Sequence, residues 1–352
     1  IDGMPIYQKT HMFGFLSSIQ AEAVKDIQVY KGGYPARFGG RTSGLIEITN
    51  RIGNTITPHI KLYTNFTINS AQIELPIFSK GSFIVTARQC NNMVSTQLYK
   101  SVKDFITGDD NFNLISISAN DAQKTTYNPK FTFKDINAVL SYLISPRNRI
   151  SLTYTNGADL ITEKRAFYGF ETILEYDSTS INEETEWLNQ GAILNWSYYL
   201  NSNWQTKFSI ATTGFISQYN SKLFNDGNSL DNFPQQTIDE KNIFTDQIYK
   251  LHQTIKVVPN HLIEIGLNRS VLSTNYKTER TLEDSSGQNI LDQNSYLQSV
   301  YAQDKWFISK LLTINLGLRN TYYSETKSND FTPRLSGSFK VTPSITIEAA
   351  MG

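Results

Sequence analysis

The sequence predicts a mainly β protein, a transmembrane antiparallel β-barrel preceded by a small α/β unit, on the basis of three observations. From about residue 57 onward, apolar residues alternate with polar ones, short and long connections alternate between these segments, and aromatic side chains gather beside the short connections. A period of two is typical of strands with one apolar face. A meander with short turns on one rim and long loops on the other is the plan of a membrane-spanning barrel.

The composition excludes several other classes of protein. The 352 residues include 32 Lys and Arg and 32 Asp and Glu, so no net charge attracts nucleic acid. A mean hydropathy of −0.35 argues against a helical membrane protein, and no segment reaches the roughly 18 apolar residues of a membrane helix. Cys90 is the only cysteine, so no intrachain disulfide can form.

The alternation is clearest between residues 312 and 319, where each apolar residue is followed by a polar or small one. In a barrel, this alternation places one set of side chains in lipid and the other in the lumen. The residues predicted to face lipid are Ile314, Leu316 and Leu318, and those predicted to face the lumen are Thr313, Asn315 and Arg319.

The connections follow a regular pattern along the chain. Short turns are predicted at 79–81, 145–148, 201–203, 259–260, 309–310 and 342–343, and long polar connections at 91–130, 156–186, 219–241 and 275–294, with a shorter one at 324–330. The aromatic residues beside the short turns are Phe83, Tyr142, Tyr198, Tyr199, Trp204, Trp306, Phe307 and Phe339. Aromatic rings prefer the membrane–water interface, so we interpret this set as a girdle.

Residues 1–54 have a different character and form a mixed α/β unit that is too small to bury a core alone. A predicted strand at 26–30 leads into residues 31–44, which hold five glycines, one proline and three cationic side chains. Glycine permits positive φ and close backbone approach, so this stretch predicts a tightly turned element against which other elements pack. The turn signal at Gly53–Asn54 ends the unit, which gives predicted domains of 1–54 and 55–352.

The order Val29–Gly32, Pro35–Gly39 and Ser43–Gly44 resembles the end of the plug domain of TonB-dependent outer-membrane receptors. The segments Tyr301–Trp306 and Leu311–Arg319 are similar to the barrel of the same family. The resemblance implies the C-terminal part of a plug followed by the N-terminal part of a barrel. About 13 strands can be counted, against about 22 in plugged transporters, so we expect a piece of a longer protein.

The resemblance implies a receptor for TonB-dependent active uptake of a scarce or large nutrient, located in the outer membrane. The implied partners are TonB with ExbB–ExbD, contacted through a segment outside this chain, outer-membrane lipid, an extracellular nutrient and a possible surface lipoprotein. Siderophores, cobalamin, glycans and peptides all remain open as nutrients. No enzymatic activity, cofactor or nucleic acid is expected.

The resemblance also implies site residues. Arg37 and Arg41 are expected to pin the plug to acidic residues of the barrel wall, because a guanidinium forms bidentate bonds with carboxylate. Gly39, Gly40 and Arg51 are the other expected plug–barrel contacts. The alternative, that either arginine only satisfies carbonyls within the plug, stays open. Substrate is expected between plug apex and barrel loops, where the candidate contacts are Lys9, His11, Met12 and Phe13.

Other functions find less support in the residues. The four histidines have no metal-ligand spacing, and the Asp- and Asn-rich runs at 109–113 and 226–231 favour turns over calcium loops. A passive channel or porin would have no reason to begin with a glycine-rich globular unit. A surface-binding or enzyme-bearing barrel, and a soluble carbohydrate-binding β protein, are the remaining alternatives.

Overall fold

The computed structural model describes residues 1–40, 44–107, 122–171, 175–225, 236–282 and 285–352. Its main element is one antiparallel sheet of 13 strands, each paired with its neighbours in sequence. The sheet strands are β5 (His59–Thr64), β6 (Ile68–Ile77), β7 (Gly81–Cys90), β8 (Ala122–Ser145), β9 (Asn148–Glu171), β10 (Glu175–Asn201), β11 (Trp204–Asn225), β12 (Gln236–Val258), β13 (His261–Leu282), β14 (Ser285–Phe307), β15 (Leu312–Tyr323), β16 (Ser328–Thr342) and β17 (Ile345–Met351). The predicted meander and its strand number are confirmed.

Residues 1–54, called here the N-terminal segment, contain only short elements. Two hairpin-like pairs, β1 with β2 and β3 with β4, form separate two-stranded sheets. The strands are β1 (Thr10–His11), β2 (Leu16–Ser17), β3 (Val24–Tyr30) and β4 (Leu45–Asn50), with 3-10 turns at Met12–Gly14 and Ala21–Ala23. The predicted strand leading into the glycine-rich stretch is therefore β3.

All six predicted short turns are confirmed. They join β6 to β7, β8 to β9, β10 to β11, β12 to β13, β14 to β15 and β16 to β17, and so lie at the same rim of the meander. Ser, Asn and Pro recur in these turns, because the local hydrogen bonds of Ser and Asn and the restricted φ of Pro favour reversal of the chain.

The prediction of long irregular connections at 156–186, 219–241 and 275–294 is wrong for the described residues. Strands β9 to β14 run through much of these stretches and are 22 to 27 residues long. A strand of about 9–11 residues crosses a bilayer, so these strands continue well beyond it. Outside lipid both strand faces tolerate polar residues, and the apolar alternation disappears while backbone pairing continues.

The connection between β7 and β8 contains the only α-helix in the described residues, α1 (Asn92–Thr107). Its side chains Tyr99 and Val102 are buried with Phe131 and Phe133 of β8. None of the described helices has the length and apolar composition needed to cross a membrane.

The sheet curves around the N-terminal segment. Thirteen strands laid flat would span about 58 Å, whereas a compact unit of about 50 residues has a radius of gyration near 10 Å. The segment nevertheless contacts Glu74 on β6, Asp135 on β8, Glu264 on β13 and Arg334 on β16. These strands can reach one small unit only if the sheet wraps around it, so the contacted face is the inner face.

The two sheet faces follow the predicted alternation on β15. Leu316 and Leu318 are 48% and 51% exposed, while Arg319, the residue that follows Leu318, is 6% exposed. The guanidinium of Arg319 contacts the N-terminal segment, so this side chain faces inward as predicted. The outward leucines belong to the set predicted to face lipid, and that environment stays a prediction.

Candidate functional site: the contacts that hold the N-terminal segment in the barrel

Arg37 joins the glycine-rich stretch to the wall. Its Nη1 donates to both carboxylate oxygens of Glu264 on β13, at 3.3 and 3.4 Å. Its Nη2 donates to Glu47 on β4 at 3.2 Å, so one guanidinium bridges a wall carboxylate and a carboxylate of its own segment. The ring of the adjacent Phe38 lies 4.8 Å from the guanidinium carbon and covers it on one side.

Two wall arginines hold the same stretch through its backbone. Arg319 of β15 donates from Nη1 to the carbonyls of Ala36 and Arg37, at 3.1 and 3.2 Å. Arg334 of β16 donates from Nη1 to the carbonyls of Tyr34 and Pro35, at 3.1 and 2.6 Å. Four consecutive carbonyls of the segment therefore accept hydrogen bonds from two cations of the barrel.

Neutral wall side chains complete this contact. Gln303 of β14 accepts a hydrogen bond from the Ala36 N–H at 2.7 Å, and Asn268 of β13 donates to the Arg37 carbonyl at 3.2 Å. Hydrogen bonds to backbone groups fix position and are insensitive to side-chain identity. The wall thus contacts the backbone between Tyr34 and Arg37 and fixes its position.

Close approach explains two of the glycines in the segment. A Cβ on Gly39 would lie 2.3 Å from Arg319 Nε, and a Cβ on Gly33 would lie 2.3 Å from the Cβ of Ala350. A Cβ on Gly40 would meet nothing within 4 Å, but Gly40 has a φ of +67°, a conformation that side-chain-bearing residues rarely adopt. The glycines at 33 and 39 allow contact, and the glycine at 40 allows the turn.

His11 forms a second anchor on the opposite part of the wall. Its Nδ1 hydrogen-bonds to Asp159 of β9, and its Nε2 lies 3.1 Å from Oδ2 of Asp135 on β8. Arg88 of β7 donates from Nε to the same Asp135 oxygen at 2.6 Å and from Nη2 to the carbonyl of Ser17. Two cations and two carboxylates thus balance at a buried site where the histidine is 1% exposed.

The protonation of His11 follows from this environment. Burial of the imidazole favours its neutral form, but the hydrogen bonds and charges of Asp135 and Asp159 outweigh burial and raise the pKa of His11 to about 9. The imidazolium is therefore the resting form at neutral pH. The ring also stacks on Phe133, with centroids 4.3 Å apart.

Polar contacts continue along the start of the segment. Thr153 of β9 donates to Asp2 at 2.8 Å, and Lys250 of β12 donates to the Gly3 carbonyl. The hydroxyl of Thr213 on β11 donates to the Pro5 carbonyl at 3.2 Å.

Arg51 lies where the segment leads into the sheet. Its Nη2 donates to Glu74 of β6 at 3.4 Å and its Nη1 to the Glu22 carbonyl at 3.3 Å. The second Glu74 oxygen accepts the N–H of Asn54 at 3.0 Å, so one wall carboxylate orients the start of the sheet.

The tip of the N-terminal segment, residues Met12 and Phe13, packs against α1. Met12 is buried with Cys90 and Tyr99 in one apolar cluster, and the ring of Phe13 stacks on Tyr99 at 5.4 Å. Met12 and Phe13 both have positive φ, at 50° and 55°. Side-chain-bearing residues in this region carry strain, which concentrates at sites where position matters for function.

The family assignment follows from the sequence of the sheet. Residues 99–350 match the family model described as TonB dependent receptor-like, beta-barrel. The chain belongs to this family. The predicted resemblance and the predicted mainly β barrel fold are therefore confirmed.

One solved receptor structure is similar to this chain in fold, and a second aligns with a lower score. A variant of the ferric enterobactin receptor PfeA from Pseudomonas aeruginosa aligns with 96% of this chain at 12% identity and a TM-score of 0.57. The ferric-catecholate import receptor Fiu from E. coli K12 aligns with 94% of this chain and 70% of its own, at 7% identity and a TM-score of 0.45. The chain spans about half the length of PfeA, of which 49% is covered. No curated protein sequence matches the chain.

The structure places three of the five predicted contact residues of this family member at the wall. Arg37, Gly39 and Arg51 lie within reach of wall side chains, and Gly40 forms the adjoining turn. Arg41 lies outside the described residues, as do the Asp- and Asn-rich runs at 109–113 and 226–231. Whether these contacts act as a lock in transport stays a prediction.

The predicted substrate contacts divide into two groups. Lys9 is exposed and Phe13 is 51% exposed, whereas His11 and Met12 are buried against the wall and α1. Of these four residues, Lys9 and Phe13 are accessible to a ligand in this arrangement. The role of all four in substrate binding stays a prediction, and the wall contacts of His11 give that residue a structural function as well.

Sequence reasoning missed the wall partners Glu264, Arg334, Asp135 and Asp159. Each is a charged residue on the inner face of a strand that also carries apolar outward residues. A charge at a lumen-facing position of a barrel strand was the available signal. Within the described residues, no cluster of three His, Cys, Asp or Glu side chains could hold a metal ion.

Proposed function

We propose that the chain is part of a plug-gated outer-membrane receptor that takes up a scarce or large nutrient by TonB-dependent active transport. Residues 1–54 are the C-terminal part of the plug, and residues 55–352 are the N-terminal part of the barrel. TonB with ExbB–ExbD acts through a part of the plug outside this chain. The proposed activity is transport, with no enzymatic step.

The observation that carries this proposal is the polar attachment of the N-terminal segment to the inner face. The wall holds it through ion pairs and through hydrogen bonds to backbone carbonyls, as at Arg37, Arg319 and His11. Polar groups can exchange such partners for water at a net cost of about 1 kcal/mol per hydrogen bond. An apolar interface of equal size would resist hydration. The attachment therefore suits a unit that must fill the barrel and later move.

The exposed tip is the proposed ligand side of the plug. Phe13 presents an aromatic face beside Tyr99 of α1, and Lys9 adds a cation nearby in sequence. We infer that a nutrient contacts Phe13 and Lys9 from outside, while Met12 and His11 connect that contact to the wall. Siderophores, cobalamin, glycans and peptides all offer groups that such a site could bind.

Growth of cells that depend on the full-length receptor tests this function. Cells are given a ferric siderophore, cobalamin, a glycan or a peptide as the limiting nutrient, with TonB present or deleted. The proposal predicts that at least one nutrient supports growth only when both the receptor and TonB are present. Growth that requires the receptor but is unchanged by TonB deletion would instead indicate a passive channel.

A further inference from the structure

Arg319 and Arg334 form a pair on the inner face of the sheet. In the register of β15 and β16, Arg319 lies opposite Thr332, and Arg334 lies opposite Gly317. The two arginines are therefore diagonal neighbours, a relationship that brings long side chains on one face within reach of each other. Both guanidinium groups point at the stretch from Tyr34 to Arg37.

Neither arginine has an acidic partner among the described residues. Arg319 donates to two backbone carbonyls, to Ser299 at 2.7 Å and to Thr321 at 3.1 Å. Arg334 donates only to two backbone carbonyls and lies over the ring of Tyr34. Arg319 is buried and Arg334 is partly buried. A buried cation is normally paired with an anion because neutral partners replace lost hydration only in part. This pair instead has neutral oxygens wherever a carboxylate would be expected.

The wall around the pair does not neutralise it. Glu264 lies in the row that runs Glu264, Gln303, Gly317 and Arg334 across four adjacent strands. Three strand spacings separate Glu264 from Arg334, which is about 14 Å between backbones. Lys250 on β12 adds another cation that donates to a backbone carbonyl, that of Gly3.

We propose that Arg319 and Arg334 form a binding site for the oxyanion groups of the transported substrate, a carboxylate or a phosphate. In the resting state the carbonyls of residues 34–37 occupy the donors of this site. When the plug moves, those oxygens leave, and the guanidinium groups of Arg319 and Arg334 can bind an anion. A guanidinium matches a carboxylate or a phosphate in geometry and in charge. This inference rests on the proposed function, because it requires the N-terminal segment to move.

The experiment measures ion selectivity and requires neither TonB nor a known nutrient. The purified full-length receptor is inserted in a planar bilayer, and mild urea is used to displace the plug. A tenfold KCl gradient then gives the ratio of chloride to potassium permeability from the reversal potential. A unit charge 4 Å from an ion in water changes the local ion concentration about fivefold. The same charge repels potassium, so for Arg319→Gln with Arg334→Gln we expect this ratio to fall by at least about fivefold.

Two variants separate charge from folding. Arg319→Lys with Arg334→Lys keeps both charges and should retain the wild-type permeability ratio. Arg269→Gln removes a cation from the opposite, outward side of β13 and should also leave the ratio unchanged. Addition of inorganic phosphate should reduce the chloride current of the wild type more than that of the double glutamine variant.

An unchanged ratio in the double glutamine variant would overturn the anion site. A fall of the same size in the double lysine variant would also overturn it, because that result would show disturbed folding instead of lost charge. Failure of the proposed transport function would appear separately, as growth that does not depend on TonB.

Discussion

The backbone of Gly39 lies against the guanidinium of Arg319, so closely that a Cβ at position 39 would sit 2.3 Å from Nε and 2.8 Å from Cζ. The arginine cannot easily withdraw, because hydrogen bonds to Ala36, Arg37, Ser299 and Thr321 fix its position. A side chain at position 39 therefore displaces either the segment or the arginine.

Gly39→Ala should loosen the N-terminal segment in the full-length receptor. We expect a loss of about 1–3 kcal/mol in the free energy that holds the segment, as for overpacked sites in general. The urea concentration at which the segment leaves the barrel measures this loss. Gly32→Ala is the matched control, because a Cβ there meets nothing within 4 Å. Equal midpoints for the two variants would contradict the close contact.

Arg37 and Glu264 should be energetically coupled. Single Arg37→Gln and Glu264→Gln variants of the full-length receptor should each lower the urea midpoint and raise the leak of vancomycin into cells. The double variant should cost less than the sum of the singles by about 1 kcal/mol, a value expected for a partly exposed pair. Additive losses would show that the two residues act independently. The salt bridge to Glu47 is preserved in the Glu264 variant and serves as the internal control.

The stability of the segment should depend on pH through His11. Its pKa is raised from 6.5 to about 9, so the folded state binds the proton more tightly than the unfolded state. The stabilisation is complete below about pH 6.5 and is lost as pH rises through 9. We expect the urea midpoint to fall over this range in the wild type.

His11→Gln is the reference for this pH dependence. The variant should have a lower midpoint at pH 6, because Asp159 then loses its ion pair with His11, while Asp135 keeps Arg88. The difference between wild type and variant should shrink as pH rises from 6 to 10. A constant difference would mean that the histidine is held neutral at the wall.

Leu316→Arg should destabilise the barrel because it places a charge in lipid. Near the middle of the membrane the expected cost is about 2–4 kcal/mol. Heat-modifiability of the full-length protein on gels, together with its abundance in outer membranes, checks this result. Leu316→Met keeps an apolar side chain of similar volume and should be nearly neutral. Normal insertion of the arginine variant would place Leu316 in the lumen.

The sequence was informative wherever local chemistry determines structure. The six short turns were predictable because Ser and Asn favour chain reversal through local hydrogen bonds and Pro through its restricted φ. The faces of β15 were predictable because lipid and lumen impose opposite polarity on alternate residues. The lengths of β9 to β14 were not, because outside the membrane neither face must be apolar.

Of the candidate site, the sequence predicted the residues of the N-terminal segment but not their partners on the barrel wall. The glycine-rich stretch indicated a close contact, but its partners Glu264 and Arg319 lie more than two hundred residues later in the sequence. Such pairings depend on the curvature of the whole sheet and leave no local pattern. Helix α1, in contrast, has a local sequence pattern, since its buried residues Ser95, Tyr99 and Val102 recur at helical spacing.

A disulfide between the segment and the wall tests most directly whether residues 1–54 block the barrel. A Cβ on Gly317 would lie 3.1 Å from the Cβ of Ala36, close to the roughly 3.5–4.5 Å of disulfides. Ala36→Cys with Gly317→Cys, in a Cys90→Ser background, is inserted in planar bilayers as the full-length receptor. Mild urea should open large conductance steps in the reduced protein and none in the oxidised protein. Equal conductance in both states would contradict a plug held at this wall.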